Sequence, residues 1–228
     1  MDEMNRQGGW TDEPERGRVV VTGFEPFDGR THNQSWDLVR GLRGEQGRDV
    51  FCLPVDLGQL QEIVAGILSG EPRAILMIGE SPTTRLRVEQ IALNVADSEG
   101  PDNAGRIPQT ESVVPQGPLA LMTSWDARGV AGRLHQEGIP AAVSFHGGTF
   151  ACNAALYLAL FGAREAQGGG HGMMISSDPA GINKKRTTQP AIGFFHIPNS
   201  SGSTGLGTAN LSRAVELGIE ELLAENQG

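Results

Sequence analysis

Cys152 occupies a position in this chain where a thiol would serve as a nucleophile. The β-rich run Ala141–Phe145 leads into the turn His146-Gly147-Gly148-Thr149, and Cys152 then opens a helical stretch. A thiol in the first turn of a helix feels the positive end of the dipole, which lowers its pKa and favours the thiolate. An ordinary thiol, with a pKa of about 8.5, is only a few per cent ionised at neutral pH, so such a shift is expected to matter. The second cysteine, Cys52, lies in a short strand before Pro54 with no comparable setting. It is expected to be a buried structural residue.

A cysteine nucleophile needs a base, most often histidine. Of five histidines, His32 and His135 fall in polar surroundings and His171 in a glycine run. His196 ends an apolar strand immediately before Pro198, and His146 precedes Cys152 by six residues. The strand end makes His196 the first candidate and His146 the second. The imidazole in turn needs an orienting carboxylate or amide. Glu89, inside the otherwise apolar RVEQIALN, and Glu80, after AILMIG, both qualify.

The elements that must hold these groups alternate between strand and helix. Arg18–Thr22, Val50–Leu53, Ala74–Ile78, Arg87–Val95, Ala141–Phe145 and Ala191–Ile197 read as strands from their β-branched or continuous apolar runs. A segment capped by Asn33 or Ser35 and ending near Leu42, then Gln59–Leu68, Ala127–Glu137, Cys152–Gln167 and Thr208–Glu225, read as helices. The pattern predicts one α/β domain over residues 18–228, with a mostly parallel central sheet between two helical layers. In such a sheet ligands bind beyond the carboxyl ends of strands, where Gly23–Gly29 and Gly147–Gly148 fall.

Composition narrows the function further. A net charge of −9 argues against a nucleic-acid or anionic-membrane binder. The polar residues 1–17 contain no apolar run and are expected to form a loosely ordered tail rather than a signal peptide. With two cysteines there is no disulfide scaffold, and a cytoplasmic location with reduced thiols is expected. No Walker sequence, G-x-G-x-x-G, HExxH or paired CxxC is present, so neither a cofactor nor a metal is expected.

A string of motifs adds to this reading. In order they are Gly23-Phe24-Glu25-Pro26-Phe27, Asn33-x-Ser35, Glu89-x-x-Ala92-x-Asn94, Pro101-Asp102-Asn103, Gly148-Thr149-Phe150-x-Cys152-Asn153 and Gly193-Phe194-Phe195-His196-Ile197-Pro198. From about Arg18 to about Pro198 the chain resembles the pyroglutamyl-peptidase I (pyrrolidone-carboxylate peptidase) family of cysteine peptidases. The resemblance implies a three-layer α/β/α sandwich, and an omega-peptidase that removes N-terminal pyroglutamate from peptides. It implies Cys152 as nucleophile, His196 as base and Glu89 as the carboxylate orienting it. It also implies that Phe24, Phe27 and Phe150 flank the substrate ring, and that Asn33 contacts the lactam through its backbone. A homotetramer is the oligomer it suggests.

The chain also departs from the family pattern. Asp28-Gly29 stands for Gly-Gly, Gln34 for proline, Gln90 for arginine and Glu99 for an arginine. The segment between Glu80 and Glu89 is one residue short. About twenty extra residues, near 168–189, carry the two lysines, Lys184 and Lys185, and are expected to form a mobile surface insertion. The alternative that these departures leave open is a weak or silent homologue that binds pyroglutamyl or other modified N-termini.

Overall fold

The computed structural model describes residues 18–45, 47–166, 189–199 and 206–225. The expected tail at 1–17, and all but the last residue of the expected insertion at 168–189, lie outside the described residues. Among the described residues, eight strands and five helices follow in the order β1 Val19–Phe24, α1 Gln34–Val39, β2 Arg48–Leu53, α2 Leu57–Ser69, β3 Ala74–Ser81, β4 Leu86–Glu89, β5 Ile91–Leu93, β6 Ala120–Met122, α3 Ala127–Gln136, β7 Ala141–Ser144, α4 Ala151–Glu165, β8 Ala191–Pro198 and α5 Thr208–Glu225. One turn of 3-10 helix, Arg40–Leu42, extends α1.

Six strands form the central sheet in the order β2-β1-β3-β8-β4-β7. All neighbours run parallel except β4 and β8, which are antiparallel. The exception follows from chain length. Only residues 82–85 separate β3 from β4, whereas a parallel return needs a dozen or more residues. β4 must therefore reverse, and β8 enters between the two. The reversal carries Glu89 alongside the strand that holds His196.

Alternate residues of the buried strands feed two cores. Val21, Leu76, Ile78, Val88 and Phe195 pack with α1, α3 and α5 on one face. Val20, Ile75, Met77, Ile192 and Phe194 pack with α2 and α4 on the other. This is the expected three-layer α/β/α arrangement. The period of two then places Arg87, Glu89 and His196 on the α4 side.

The helix starts differ in one respect that matters for the site. Asn33, Asp56 and Asp126 cap α1, α2 and α3 by accepting backbone N–H bonds. α4 starts from Phe150 with no side-chain cap. Its first-turn N–H groups have no partner within the helix.

The single strand expected over Arg87–Val95 is two. The Glu89 carbonyl accepts from the Trp125 indole at 3.2 Å and the Thr123 hydroxyl at 3.3 Å. The chain then turns at Gln90, and β5 leaves to pair with β6 in a separate two-stranded sheet. β6 has only three residues and no buried one, so it lacks the apolar alternation that marks a strand in sequence.

Glycine is forced where the sheet meets Trp125. A Cβ on Gly193 would lie 2.7 Å from the buried Trp125 ring. Gly193→Ala should therefore destabilise the protein by about 1–3 kcal/mol through overpacking. Gly132→Ala, in α3 with open space around it, should stabilise it by about 0.5–1 kcal/mol. Urea unfolding of the two variants checks both signs.

Candidate active site

His196 and Glu89 meet across the β4–β8 junction. In the ladder Arg87 opposes His196 and Glu89 opposes Phe194, so Glu89 and His196 are diagonal neighbours on one face. His196 Nδ1 lies 2.8 Å from Glu89 Oε1. Glu89 is fully buried and His196 is 4% exposed. A carboxylate buried this deeply is costly without a partner, and the imidazole supplies one. Burial alone would raise the Glu89 carboxyl. The hydrogen bond and charge of His196, with the nearby Ser144 hydroxyl and Arg87, outweigh it and hold the group below its ordinary value. Arg87 Nε stands 3.7 Å from the same oxygen.

Cys152 and the imidazole share the space at the end of β3. A Cβ built on Gly79 would lie 2.7 Å from Cys152 Sγ and 3.2 Å from His196 Cδ2, so both atoms crowd one point at the end of β3. Cδ2 is bonded to Nε2, the nitrogen that Glu89 leaves free. On the far side Gly147 packs against the pair, with a notional Cβ 3.6 Å from His196 Cε1 and 3.7 Å from the Glu89 carboxyl carbon. Gly148 turns the chain at φ 85°, and its N–H donates to His146 Nδ1 at 3.0 Å. His146 thus shapes the turn before α4, and Glu89 pairs with His196 instead.

A cavity of about 190 Å³ opens beside the thiol, lined by Phe24, Phe27, Asn33, Phe150, Cys152 and His196 among others. Of the seven residues that the resemblance implies for the site, six therefore border one space, and Glu89 stands behind His196. Phe24 is buried in the sheet and Phe27 is half-buried. The Asn33 side chain is used locally: it caps α1 and donates to Glu25 O at 3.0 Å. Asn103, from the Pro101-Asp102-Asn103 motif, donates to Pro26 O at 2.9 Å and anchors the same loop.

Glu80, the alternative orienting carboxylate, has other work. It accepts the Gln34 N–H at 2.7 Å and pairs with Arg30. The Arg30 guanidinium sits 4.5 Å from the centre of the Phe27 ring. Glu80 therefore ties the β1–α1 loop and its aromatic wall to the end of β3.

The thiol itself corrects one expectation. Its pKa is not lowered: burial, reinforced by the charges of Glu80 and Glu89, pushes the Cys152 thiol up to about 12, against a partial offset from its own backbone N–H. Desolvation outweighs the helix terminus here. Cys52 is likewise pushed up to about 12, mainly by burial, and lies on β2, paired in register with Gly23.

Of the departures, Gln90, Glu99, Asp28 and Gly29 do not line the cavity. Gln90 bonds Thr123 and the backbone N–H that starts α3, and Glu99 is exposed and does not line the cavity. Asp28 and Gly29 both adopt positive φ in a turn. Gly79 and Arg87 are the site residues that sequence reasoning passed over. Arg87 was legible as the same-face neighbour of Glu89, two residues earlier on a strand. Gly79 carried only the signal of a glycine at a strand end.

Comparison with known proteins gives a consistent picture. The pyroglutamyl peptidase family model matches residues 17–174. Pyrrolidone-carboxylate peptidase of Thermococcus kodakarensis is 40% identical over 188 residues, covering 80% of this chain and 82% of the relative. That of Klebsiella pneumoniae is 33% identical over 221 residues, covering 91% and 94%. Among solved structures, pyrrolidone carboxyl peptidase from Thermus thermophilus superposes with a TM-score of 0.73 at 29% identity, covering 89% of this chain and 99% of that one. Pyroglutamyl peptidase I from Bacillus amyloliquefaciens superposes at 0.74 with 25% identity, covering 92% and 98%. With a family match across most of the chain and relatives this similar along nearly their full length, the chain belongs to the pyroglutamyl peptidase family.

Proposed function

We propose that this protein is a cysteine omega-peptidase that removes an N-terminal pyroglutamyl residue from peptides, with Cys152 as nucleophile, His196 as base and Glu89 as its orienting carboxylate. The observation that carries the reading is the buried bond from Glu89 to His196 Nδ1, which leaves the opposite edge of the ring beside Cys152 Sγ. No cofactor or metal enters this chemistry.

Because the thiol is held protonated, the nucleophile forms by direct transfer. The Cys152 proton passes to His196 Nε2 as sulfur attacks the pyroglutamyl carbonyl. Glu89 accepts the Nδ1–H bond and stabilises the imidazolium that results. His196 then protonates the leaving amine, and a thioester remains on Cys152. Water, deprotonated by His196, hydrolyses it and restores the thiol. Proton transfer of this kind contributes roughly 10²–10⁴-fold. The uncapped backbone N–H groups at the start of α4 are the oxyanion donors in this reading, worth roughly 10²–10³-fold each.

Size and charge of the cavity favour the substrate. Drug-sized ligands occupy about 300–1,000 Å³, so a space of about 190 Å³ suits one small ring. Pyroglutamate is a neutral lactam, which aromatic walls and backbone groups satisfy. Phe24, Phe27 and Phe150 are those walls, and the Asn33 backbone the lactam contact. Glu80, at the edge of the cavity, is already engaged by Arg30 and Gln34, so the site offers little to the ammonium of an unmodified N-terminus. In this reading the protein works in the cytoplasm, where Cys52 and Cys152 stay reduced; no described helix is long and apolar enough to cross a membrane. The working form is a homotetramer, and the strongly exposed Leu119 and Met122 beside the small sheet supply apolar surface for subunit contact. Light scattering that returns a monomer at micromolar concentration would contradict the tetramer.

Hydrolysis of a pyroglutamyl fluorogenic amide tests the activity. Cys152→Ala should abolish turnover, His196→Ala should lower kcat by at least about 10³-fold, and Cys52→Ala should retain it. Binding without turnover in fresh, reduced protein would favour the silent homologue instead. The Glu89 carboxyl gives an independent check. Held below its ordinary value, it adds stability above the usual carboxylate pKa of about 4.3 and loses it as pH falls through the lowered value. Glu89→Gln should therefore flatten the acid limb of a stability profile measured by urea unfolding.

A further inference from the structure

A second, larger cavity of about 400 Å³ adjoins the ring cavity. Pro82 lines both, and the two share the segments around it and around His146–Gly147. The β-ladders fix its place. Arg87 pairs with His196 on one side and with Ala142 on the other, and Glu89 pairs with Ser144 across the β4–β7 ladder. The lining residues Arg87, Ala142 and Ser144 thus share the sheet face that carries His196, and the cavity extends that face outward along β4 and β7. Its wall includes Phe145, a large apolar side chain 59% exposed.

Two arginines line this space, and they differ. Arg87 is engaged: it approaches Glu89 and donates to Ser144 Oγ at 2.9 Å and His146 O at 3.1 Å. Arg85 is exposed, and its guanidinium has no ion pair or hydrogen bond among the described residues. A peptide leaving Cys152 releases its amine at His196, so the chain behind that amine must run away from the ring cavity over the same face.

We infer that the cavity lined by Arg85, Arg87, Phe145 and His146 is the binding site for the peptide that follows pyroglutamate, and that Arg85 makes it select a carboxylate there. This rests on the peptidase reading above and names the substrate class within it. The carboxylate comes either from an acidic side chain after pyroglutamate or from the free C-terminus of a short peptide. Exposed ion pairs are weak and salt-sensitive, so the selection amounts to no more than about five-fold.

The test compares kcat/KM at low and high salt for C-terminally amidated pyroglutamyl tripeptides with Ala, Glu or Lys after pyroglutamate, and for the Ala peptide with a free carboxylate. A neutral pyroglutamyl amide serves as reference. The Glu peptide should exceed the Ala amide by about five-fold at low salt, mainly through KM, and lose that advantage at high salt. An advantage of the free-acid Ala peptide alone would assign the carboxylate to the C-terminus. Arg85→Ala should erase the preference, and Arg85→Glu should reverse it toward Lys. Equal kcat/KM across the peptides in protein that hydrolyses the neutral amide would overturn the inference and leave the peptidase reading standing. A preference that survives Arg85→Ala would overturn the role of Arg85. Failure on the neutral amide would bring down the peptidase reading and this inference together.

Discussion

A carboxylate with no exposure to water sits on the sheet face that carries His196, held by the imidazole with Ser144 and Arg87 close by. Glu89 and His196 form a buried pair in which removing the imidazole strands the carboxylate. Leaving a buried charge uncompensated costs about 3–5 kcal/mol, a large share of the about 5–15 kcal/mol that stabilises a domain. Much of the surrounding architecture keeps this pair closed. The short β3–β4 connection forces the one antiparallel junction in the sheet, and that junction brings Glu89 diagonal to His196. Trp125 and Thr123 hold the Glu89 carbonyl where the chain leaves the sheet. Gly147 packs against the pair without a side chain to wedge it apart.

The same burial determines how the thiol must be used. A sulfur that shares the space over Gly79 with Phe194 and His196 is pushed by burial away from ionising near neutral pH, and the nearby carboxylates oppose it further. Reactivity then depends on a proton acceptor already in place. An imidazole fixed through Nδ1 is such an acceptor, because its free nitrogen has a single orientation. Glu80 is close enough to disfavour a thiolate, yet its bonds to Arg30 and Gln34 hold the loop that carries Phe27. One carboxylate therefore holds the imidazole, and a second holds the wall of the cavity.

Much of this was legible in the residues. The alternation of β-rich runs with helical patterns marked the three layers, and the Gly-rich turn before Cys152 marked the strand end where the proposed nucleophile lies. His196 and Glu89 stood out as polar groups in apolar strands, which is unfavourable unless each finds a partner. The limits were physical. Glu89, inside one apolar segment, and Glu80, after another, both qualify as the orienting carboxylate; only the reversal of β4 decides between them. The break at Gln90 depends on Trp125 and Thr123, more than thirty residues away, and no propensity encodes it. The thiol was misjudged because the helix start is visible in sequence whereas the desolvation that overrides it is a property of packing. Gly79 was overlooked for the same reason: its role is the space it leaves for sulfur and imidazole.

In the proposed mechanism Glu89 holds the His196 proton on Nδ1 and leaves Nε2 free for Cys152. Nitrogen-detected NMR of the imidazole in protein labelled at histidine reads this tautomer directly. The neutral His196 ring should carry its proton on Nδ1, with a strongly downfield Nδ1–H that persists in Cys152→Ala and disappears in Glu89→Gln. A proton resident on Nε2, or an Nδ1–H signal indifferent to Glu89→Gln, would contradict it.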